Sequence, residues 1–150
     1  MRAVEPDVHF VGGYQLDEIA ERYPELHYSV NPHWQSTGAA ASLLEAPLND
    51  RVVHYVSYSD VLFRDSAVQS LSSSEADIAV LVDSNWRHRF EGRSEEDLQR
   101  CEKVNVHGGR ITRLGRDILP ELADAEFVGL VRLQPKVAGF LAVSYTHLTL

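Results

Sequence analysis

The 150-residue sequence contains one cysteine, Cys101, so no disulfide can form within the chain. No apolar run reaches the roughly 18 residues of a membrane span, and the N-terminus, MRAVEPDVHF, lacks the apolar core of a signal peptide. The formal net charge of −8 argues against a general nucleic-acid or anionic-membrane surface. The negative net charge does not exclude a small anionic ligand that is bound by a few local cations. These features fit a cytoplasmic protein.

Several motifs of enzyme chemistry are also missing from the sequence. No G-x-S-x-G is present, and Ser59–Asp60 is not a nucleophile motif. The seven histidines show no HxH or HxxxH spacing, which argues against a zinc site. The glycine pairs at 12–13 and 108–109 lack the G-x-G-x-x-G arrangement, so they are better explained as turn residues. The chain therefore offers no credible nucleophile for covalent catalysis.

Predicted strands and helices alternate through the first 83 residues. This pattern is typical of βαβ units and predicts an α/β fold with a parallel sheet flanked by helices. The near-continuous apolar run at 76–83 indicates a strand buried on both faces. Residues 103–115, KVNVHGGRITRLG, predict a hairpin turning at HGG. The predicted strands are 8–14, 26–31, 51–59, 76–83, 125–133 and the hairpin, and the predicted helices are 16–23, 36–46, 66–74 and, as helix or turn, 94–103.

Polar residues stand where three predicted strands end. Asn31, Asp60 and Asp83 would rim one edge of the sheet, and ligands of such sheets bind beyond the carboxyl ends of the strands. Asp60 could there hold a hard cation, since Mg²⁺ prefers carboxylate oxygens together with substrate phosphates. The alternative is that Asp60 is a helix N-cap or a turn residue and Asp83 a turn residue.

A basic cluster stands out in this acidic chain. It is either a solvated loop or a site for an anionic group. If Lys103 opens a strand rather than ending a helix, its ammonium could point into the cleft. The cluster consists of Trp86, Arg87, His88, Arg89 and Arg93.

The ordered segments GGY, NPHWQSTGAAASL, YSDVLF, IAVLVDSNW, EKV and AEFVGL resemble one family. They are similar to nucleotidyltransferases related to phosphocholine and phosphonate cytidylyltransferases, including the domain found beside phosphoenolpyruvate mutase. The resemblance runs from about Val8 to Phe140. It implies a Rossmann-like α/β/α sandwich with a mixed, mainly parallel sheet. It also implies Mg²⁺-dependent transfer of a nucleotidyl group from an NTP, often CTP, with release of pyrophosphate.

Carried over by position, the resemblance assigns roles to individual residues. Asp60 matches the metal-binding acid, although serine replaces the glycine that precedes it in the family. Lys103 matches a catalytic lysine that is expected to meet a phosphate or phosphonate. The residues expected beside the nucleotide are Asn31, Thr37, Gly38 and Ser42. Those expected near the acceptor are Asp83, Trp86, Glu126 and Gly129, with Arg87 and Arg93 of the basic cluster as further candidates.

The implied partners are a nucleotide and a small acceptor such as phosphocholine or 2-aminoethylphosphonate. Neither a nucleic acid nor a membrane span is expected, and a homo-oligomer and a neighbouring phosphoenolpyruvate mutase stay open. Two alternatives remain: a sugar-1-phosphate nucleotidyltransferase, and an α/β binding module that kept the cleft without the chemistry.

The sequence departs from the family pattern at both ends. The G-x-G-x-R loop, the P-K element and a second metal-binding acid have no counterpart here. Residues 143–150, VSYTHLTL, resemble a translated sequencing-adapter tail. We therefore expect residues 1–142 to be a partial nucleotidyltransferase domain, truncated at both ends and inactive alone, followed by a non-native tail.

Overall fold

The computed structural model describes residues 7–148, apart from the side chains of residues 143–148. Its helices and strands in chain order are β1 (His9–Gly12), α1 (Leu16–Arg22), β2 (His27–Val30), α2 (Ala39–Leu44), β3 (His54–Ser57), α3 (Asp65–Ser72), β4 (Ile78–Asp83), α4 (Trp86–Arg89), α5 (Glu95–Arg100), β5 (Lys103–His107), β6 (Arg110–Gly115), a 3₁₀ turn (Pro120–Leu122), β7 (Ala125–Leu133) and α6 (Pro135–Leu148). Among the described residues, no helix is long and apolar enough to cross a membrane.

The chain forms two compact units. Unit 1 comprises the residues up to Val52 and those from Pro135 onward, and unit 2 comprises Val53–Gln134. In unit 1, β1 and β2 pair in parallel, with Phe10 opposite Tyr28. Helix α1 connects the two strands, as the helical spacing of apolar residues after Gly13 predicts.

Strand β7 is the central strand of unit 2. It pairs with β4 along one side and with β3 and β5 along the other, antiparallel in every case. The β5–β6 hairpin continues the sheet beyond β5. Two apolar clusters pack in this unit. One contains Leu71, Ala79 and Leu130, and the other contains Trp86, Cys101, Ile118 and Ala123.

Local signals explain several boundaries in unit 2. Ser94 begins α5 with a capping box, because its hydroxyl accepts from the backbone N–H of Asp97, whose carboxylate accepts from the N–H of Ser94. The predicted hairpin is confirmed. Gly108 and Gly109 have φ angles of +55° and +73°, the conformation that a two-residue hairpin turn requires and that glycine adopts without steric cost.

Parallel and antiparallel strand pairs are both present, as predicted, but they lie in two separate sheets, and the pairing departs from the expected mainly parallel arrangement. Within residues 7–148, β1–β2 is the parallel pair and the remaining pairs are antiparallel. The cause is β7, which runs opposite to both β3 and β4. In β4 only Ala79 is buried and Ile78 is exposed, so the expectation of burial on both faces was wrong. The predicted tail at 143–150 falls on residues without described side chains, and 149–150 lie outside the described residues.

Candidate functional site

The side-chain amide of Asn31 organises the loop between β2 and α2 in unit 1. Asn31 is only 2% exposed. Its Nδ2 donates to Thr37 Oγ1 and Ser42 Oγ, both at 3.0 Å, and its Oδ1 accepts from the backbone N–H of His33 at 2.9 Å. A buried amide with three partners is compensated for its lost hydration. Three of the four residues predicted to lie beside a nucleotide thus share one hydrogen-bond network.

The fourth predicted residue, Gly38, is the N-cap of α2 and offers an open approach. No atom lies within 4 Å of the place that a Cβ would occupy on Gly38. Its φ of −103° is ordinary extended backbone, so glycine is not needed here for conformational freedom. Thr37 beside it is exposed, and its hydroxyl donates to the carbonyl of His33 at 2.8 Å. A ligand could therefore reach backbone and hydroxyl groups at this position.

Two exposed aromatic side chains stand at the same ends of β1 and β2. Tyr14 follows Gly12 and Gly13 at the end of β1, and Trp34 lies in the loop after β2, with 5.4 Å between their ring centroids. A Cβ on Gly13 would overlap the Trp34 side chain, so the indole lies directly against the Gly13 backbone. Glycine at 13 is therefore needed for this contact.

In unit 2, Asp60 and Asp83 stand at the same end of the sheet. Strands β3 and β4 run in the same direction because both pair antiparallel with β7. Asp60 lies in the turn after β3 with an exposed side chain, and Asp83 is the last residue of β4. Helix α3 begins at Asp65, with Arg64 as its N-cap, which excludes the N-cap explanation for Asp60.

Tyr58, two residues before Asp60, is fixed by two hydrogen bonds and one packing contact. Its backbone N–H donates to the carbonyl of Gly129 at 2.9 Å, and its hydroxyl donates to Glu102 Oε2 at 2.7 Å. Its ring packs against Gly129, where a Cβ would come within 2.5 Å of Tyr58 Cδ2. Burial, together with the Glu102 carboxylate, raises the pKa of Tyr58 to about 12. Gly129, predicted near the acceptor, thus has a packing role in this structure.

Arg89 joins two of the acids predicted near the acceptor. Asp83 and Glu126 are opposite each other in the β4–β7 pair. Arg89 Nε lies 2.7 Å from Asp83 Oδ2, and Arg89 Nη2 bonds to Glu126 Oε2. Burial raises the pKa of Glu126 and the nearby Asp83 raises it further, whereas the Arg89 guanidinium opposes the shift. Asp83 and Glu126, both predicted near the acceptor, therefore share an ion-pair partner, Arg89. The sequence did not distinguish this arginine from the others in the basic cluster.

The other members of the basic cluster have structural contacts. Arg87 Nη2 donates to two backbone carbonyls at the 3₁₀ turn Pro120–Leu122 and the residue after it, at 2.6 and 2.7 Å. Its guanidinium also lies 4.9 Å from the centre of the Trp86 ring. Trp86 itself is fully buried. Arg93 lies over the ring of Phe90 at 5.1 Å. Arg87 and Arg93 are thus exposed side chains that have contact partners within unit 2.

Lys103 opens β5, as the alternative interpretation of the sequence allowed, but its ammonium is fully buried. Nζ donates to the carbonyls of Leu98, Gln99 and Cys101 at 3.0, 3.2 and 3.0 Å. These groups belong to the end of α5, where a helix leaves carbonyls unpaired and where a cation is favourable. In this structure Lys103 caps α5, and a contact with phosphate would require Nζ to leave these carbonyls.

The described residues could hold a metal ion only if a bound substrate supplied further ligands. The described part of the chain forms no group of three or more histidine, cysteine, aspartate or glutamate side chains that could hold one. Asp83 is occupied by Arg89, whereas the carboxylate of Asp60 is exposed. Asp60 therefore fits the mode in which Mg²⁺ takes one carboxylate and completes its shell with phosphates and water.

Sequence reasoning missed three residues that the structure brings to these positions: Trp34, Glu102 and Arg89. Arg89 is one of several arginines in its cluster, and its spacing does not distinguish it from Arg87 or Arg93. Glu102 stands inside EKV, but its partner Tyr58 is 44 residues away in the sequence. Only Trp34 carried a signal, since a large aromatic in a polar loop is unusual.

Known proteins that resemble this chain include one relative by sequence and one solved structure by fold. The sequence is 23% identical over 137 residues to a CTP:phosphoglutamine cytidylyltransferase of Campylobacter jejuni subsp. jejuni, with 84% of this chain and 54% of the relative covered. The fold is similar to that of an inositol-1-phosphate CTP transferase from T. maritima, with a TM-score of 0.61, 22% identity, and 88% and 54% of the two chains covered. No protein-family model matches the sequence. The chain spans about half the length of these relatives, 54% of each.

Proposed function

Because the chain is related to cytidylyltransferase-like nucleotidyltransferases and has their fold, we propose that it is part of an enzyme that transfers a cytidylyl group from CTP to a small phosphorylated or phosphonylated acceptor. An oxygen of the acceptor's phosphate or phosphonate attacks the α-phosphorus of CTP. A new oxygen–phosphorus bond forms, and the bond to the β-phosphate breaks with release of pyrophosphate. The relatives named for phosphoglutamine and inositol-1-phosphate support an acceptor of this class, for which phosphocholine and 2-aminoethylphosphonate remain candidates.

The observation that carries this proposal is the Asn31 network in unit 1. A buried amide holds the Thr37 and Ser42 hydroxyls at the carboxyl end of a parallel strand pair. Ligands of α/β sheets bind beyond such strand ends. Hydroxyls fixed by a neighbour lose little conformational entropy when they bind a ligand, so the loop is preorganised to contact polar atoms of a base or ribose.

In unit 2, the chain's own side chains would position charge. The exposed Asp60 carboxylate would hold a Mg²⁺ ion, which would supply charge neutralisation during transfer. The Asp83–Arg89–Glu126 cluster supports an acceptor contact, because a guanidinium clamped by two carboxylates has a fixed orientation.

The test of nucleotide recognition is equilibrium binding of CTP in the presence of Mg²⁺, compared with UTP and ATP. Ser42→Ala should weaken CTP binding about 5- to 10-fold, the effect of one lost hydrogen bond. Ser36→Ala is the matched control, because Ser36 lies in the same loop and its hydroxyl donates to the His33 carbonyl rather than joining the amide network. Equal affinities of the two variants, or absence of CTP binding, would contradict the proposal.

The metal role is tested separately. Asp60→Asn should weaken the binding of CTP with Mg²⁺ while leaving Mg²⁺-free binding and thermal stability unchanged, because Asp60 is exposed and caps no helix. An equal loss in both conditions would assign Asp60 a structural role. Pyrophosphate release from CTP, UTP and dTTP, with phosphocholine or 2-aminoethylphosphonate as acceptor, tests the transfer reaction itself.

A further inference from the structure

Tyr14 and Trp34 form an exposed aromatic pair on the surface of unit 1. Tyr14 is 66% exposed and Trp34 40% exposed. Their ring planes are tilted by 53°. Leaving two large aromatic side chains in water forgoes the stabilisation that their burial would bring. A packing role inside the core therefore does not account for them in this fold.

Trp34 is the fixed member of this aromatic pair. Its indole rests on the Gly13 backbone, where a Cβ would overlap it, and its backbone N–H donates to the Asn31 carbonyl at 3.3 Å. The same asparagine holds Thr37 and Ser42 through its side chain. One residue thus ties the orientation of the aromatic pair to that of the hydroxyl network.

The charges around the pair indicate what kind of group it would accept. Residues 9–16 and 31–44, which supply the pair and the network, contain no lysine, arginine, aspartate or glutamate. A triphosphate would need cations, and an ammonium group would need carboxylates. A neutral, flat, aromatic group satisfies the surface as it stands, because its face stacks on indole and its polar edge can meet hydroxyls.

We propose that Trp34, assisted by Tyr14, is the stacking platform for the base of the bound nucleotide, a role that rests on the proposed function and deepens it. Stacking uses the face of the base, which every base presents. Trp34 therefore contributes affinity without choosing the base. Discrimination between CTP and UTP falls to groups that meet the edge of the base, among them Thr37 and Ser42.

The experiment measures CTP, UTP and inorganic triphosphate binding to the full chain with Mg²⁺. Trp34→Ala should weaken CTP and UTP by the same factor, about 5- to 150-fold, and Trp34→Phe should restore most of the affinity. Tyr23→Ala is the matched control, an exposed aromatic of unit 1 at the end of α1. The chain has two tryptophans, and Trp86 is fully buried. CTP should therefore quench emission that is absent in Trp34→Phe, and triphosphate should not.

The outcomes separate this proposal from the one on which it rests. If CTP binds with equal affinity to the wild-type chain and to Trp34→Ala, without quenching, the platform is refuted and nucleotide binding stands. If Trp34→Ala changes the ratio of CTP to UTP affinity, Trp34 reads the base edge and the stacking role is refuted. If the wild-type chain binds no CTP, both proposals fail. Thermal melts show whether Trp34→Ala is unfolded. If it is, the CTP affinity of Trp34→Phe relative to that of the wild type tests the stacking role instead.

Discussion

Replacing Gly129 by alanine should destabilise unit 2 by about 2–5 kcal/mol. Gly129 has a φ of +83°, and an L-residue in left-handed conformations loses about 1–2 kcal/mol relative to glycine. The new methyl group would also lie 2.5 Å from Cδ2 and 3.0 Å from Cγ of Tyr58. Tyr58 cannot move freely, because its N–H and hydroxyl are both bonded, so this overpacking adds about 1–3 kcal/mol.

Urea unfolding followed by tryptophan fluorescence measures this loss. A Trp34→Phe background leaves Trp86, which is buried in unit 2, as the single reporter. Gly92→Ala is the matched control, since Gly92 has a φ of +79° and no atom within 4 Å of the position that an added methyl group would take. It should lose only about 1–2 kcal/mol. Equal losses for the two variants would refute the packing role of Tyr58, as would a Gly129→Ala loss that is unchanged in a Tyr58→Ala background.

Three further predictions concern buried or paired groups. Lys103→Met should destabilise the protein by about 2–4 kcal/mol in thermal and urea unfolding, because it leaves α5 carbonyls unpaired; a loss of CTP binding without loss of stability would instead assign Lys103 to the phosphates. Arg89→Met should raise the pKa of Glu126 further. The stability that this variant loses relative to the wild type should therefore grow as pH rises through that pKa, and shrink below pH 4.5, where the carboxyl is protonated in the folded and the unfolded protein. A ¹³C NMR titration of the Glu126 carboxyl checks this. One tyrosine should ionise near pH 12 in ultraviolet titration, and this late step should vanish in Tyr58→Phe and move to lower pH in Glu102→Gln. Because the pKa of Tyr58 is raised in the folded protein, the stability that it contributes is present below pH 10 and lost between pH 10 and 12.

Much of the element order could be predicted because its signals are local. The hairpin at Gly108–Gly109 follows from two residues that tolerate positive φ. The start of α5 follows from Ser94 and Asp97, three residues apart. Helix α4 was not predicted, since four residues are too few to show a helical period.

The direction of β7 could not be predicted from its apolar pattern. An apolar strand has the same period whether it runs with or against its neighbours, so the alternation of strands and helices suggested a mainly parallel sheet. Direction is set by where the connecting chain enters the sheet. Here the β5–β6 hairpin and the 3₁₀ turn return the chain so that β7 opposes β3 and β4.

The candidate site was predictable only where its residues are close in sequence. Asn31, Thr37 and Ser42 lie within 11 residues of one another, and they share one network. Their role beside a nucleotide stays a prediction, as do the roles of Asp60 and of the residues near the acceptor. Lys103 shows the limit of motif reasoning, because the letters EKV do not reveal that the ammonium turns back onto α5 rather than toward a cleft.

The sequence by itself determined the strand segments, helices α1, α2, α3 and α5, the hairpin turn and the resemblance to cytidylyltransferase-like nucleotidyltransferases. Each depends on residue types at short separations, where backbone preference and side-chain period act directly. Tertiary structure alone decided that Arg89 joins Asp83 to Glu126, that Glu102 holds Tyr58 and that Trp34 rests on Gly13. Apart from the Asp83–Arg89 pair, which is six positions apart, these contacts join residues 21 to 44 positions apart. Only the folded chain brings such groups within hydrogen-bonding or van der Waals distance.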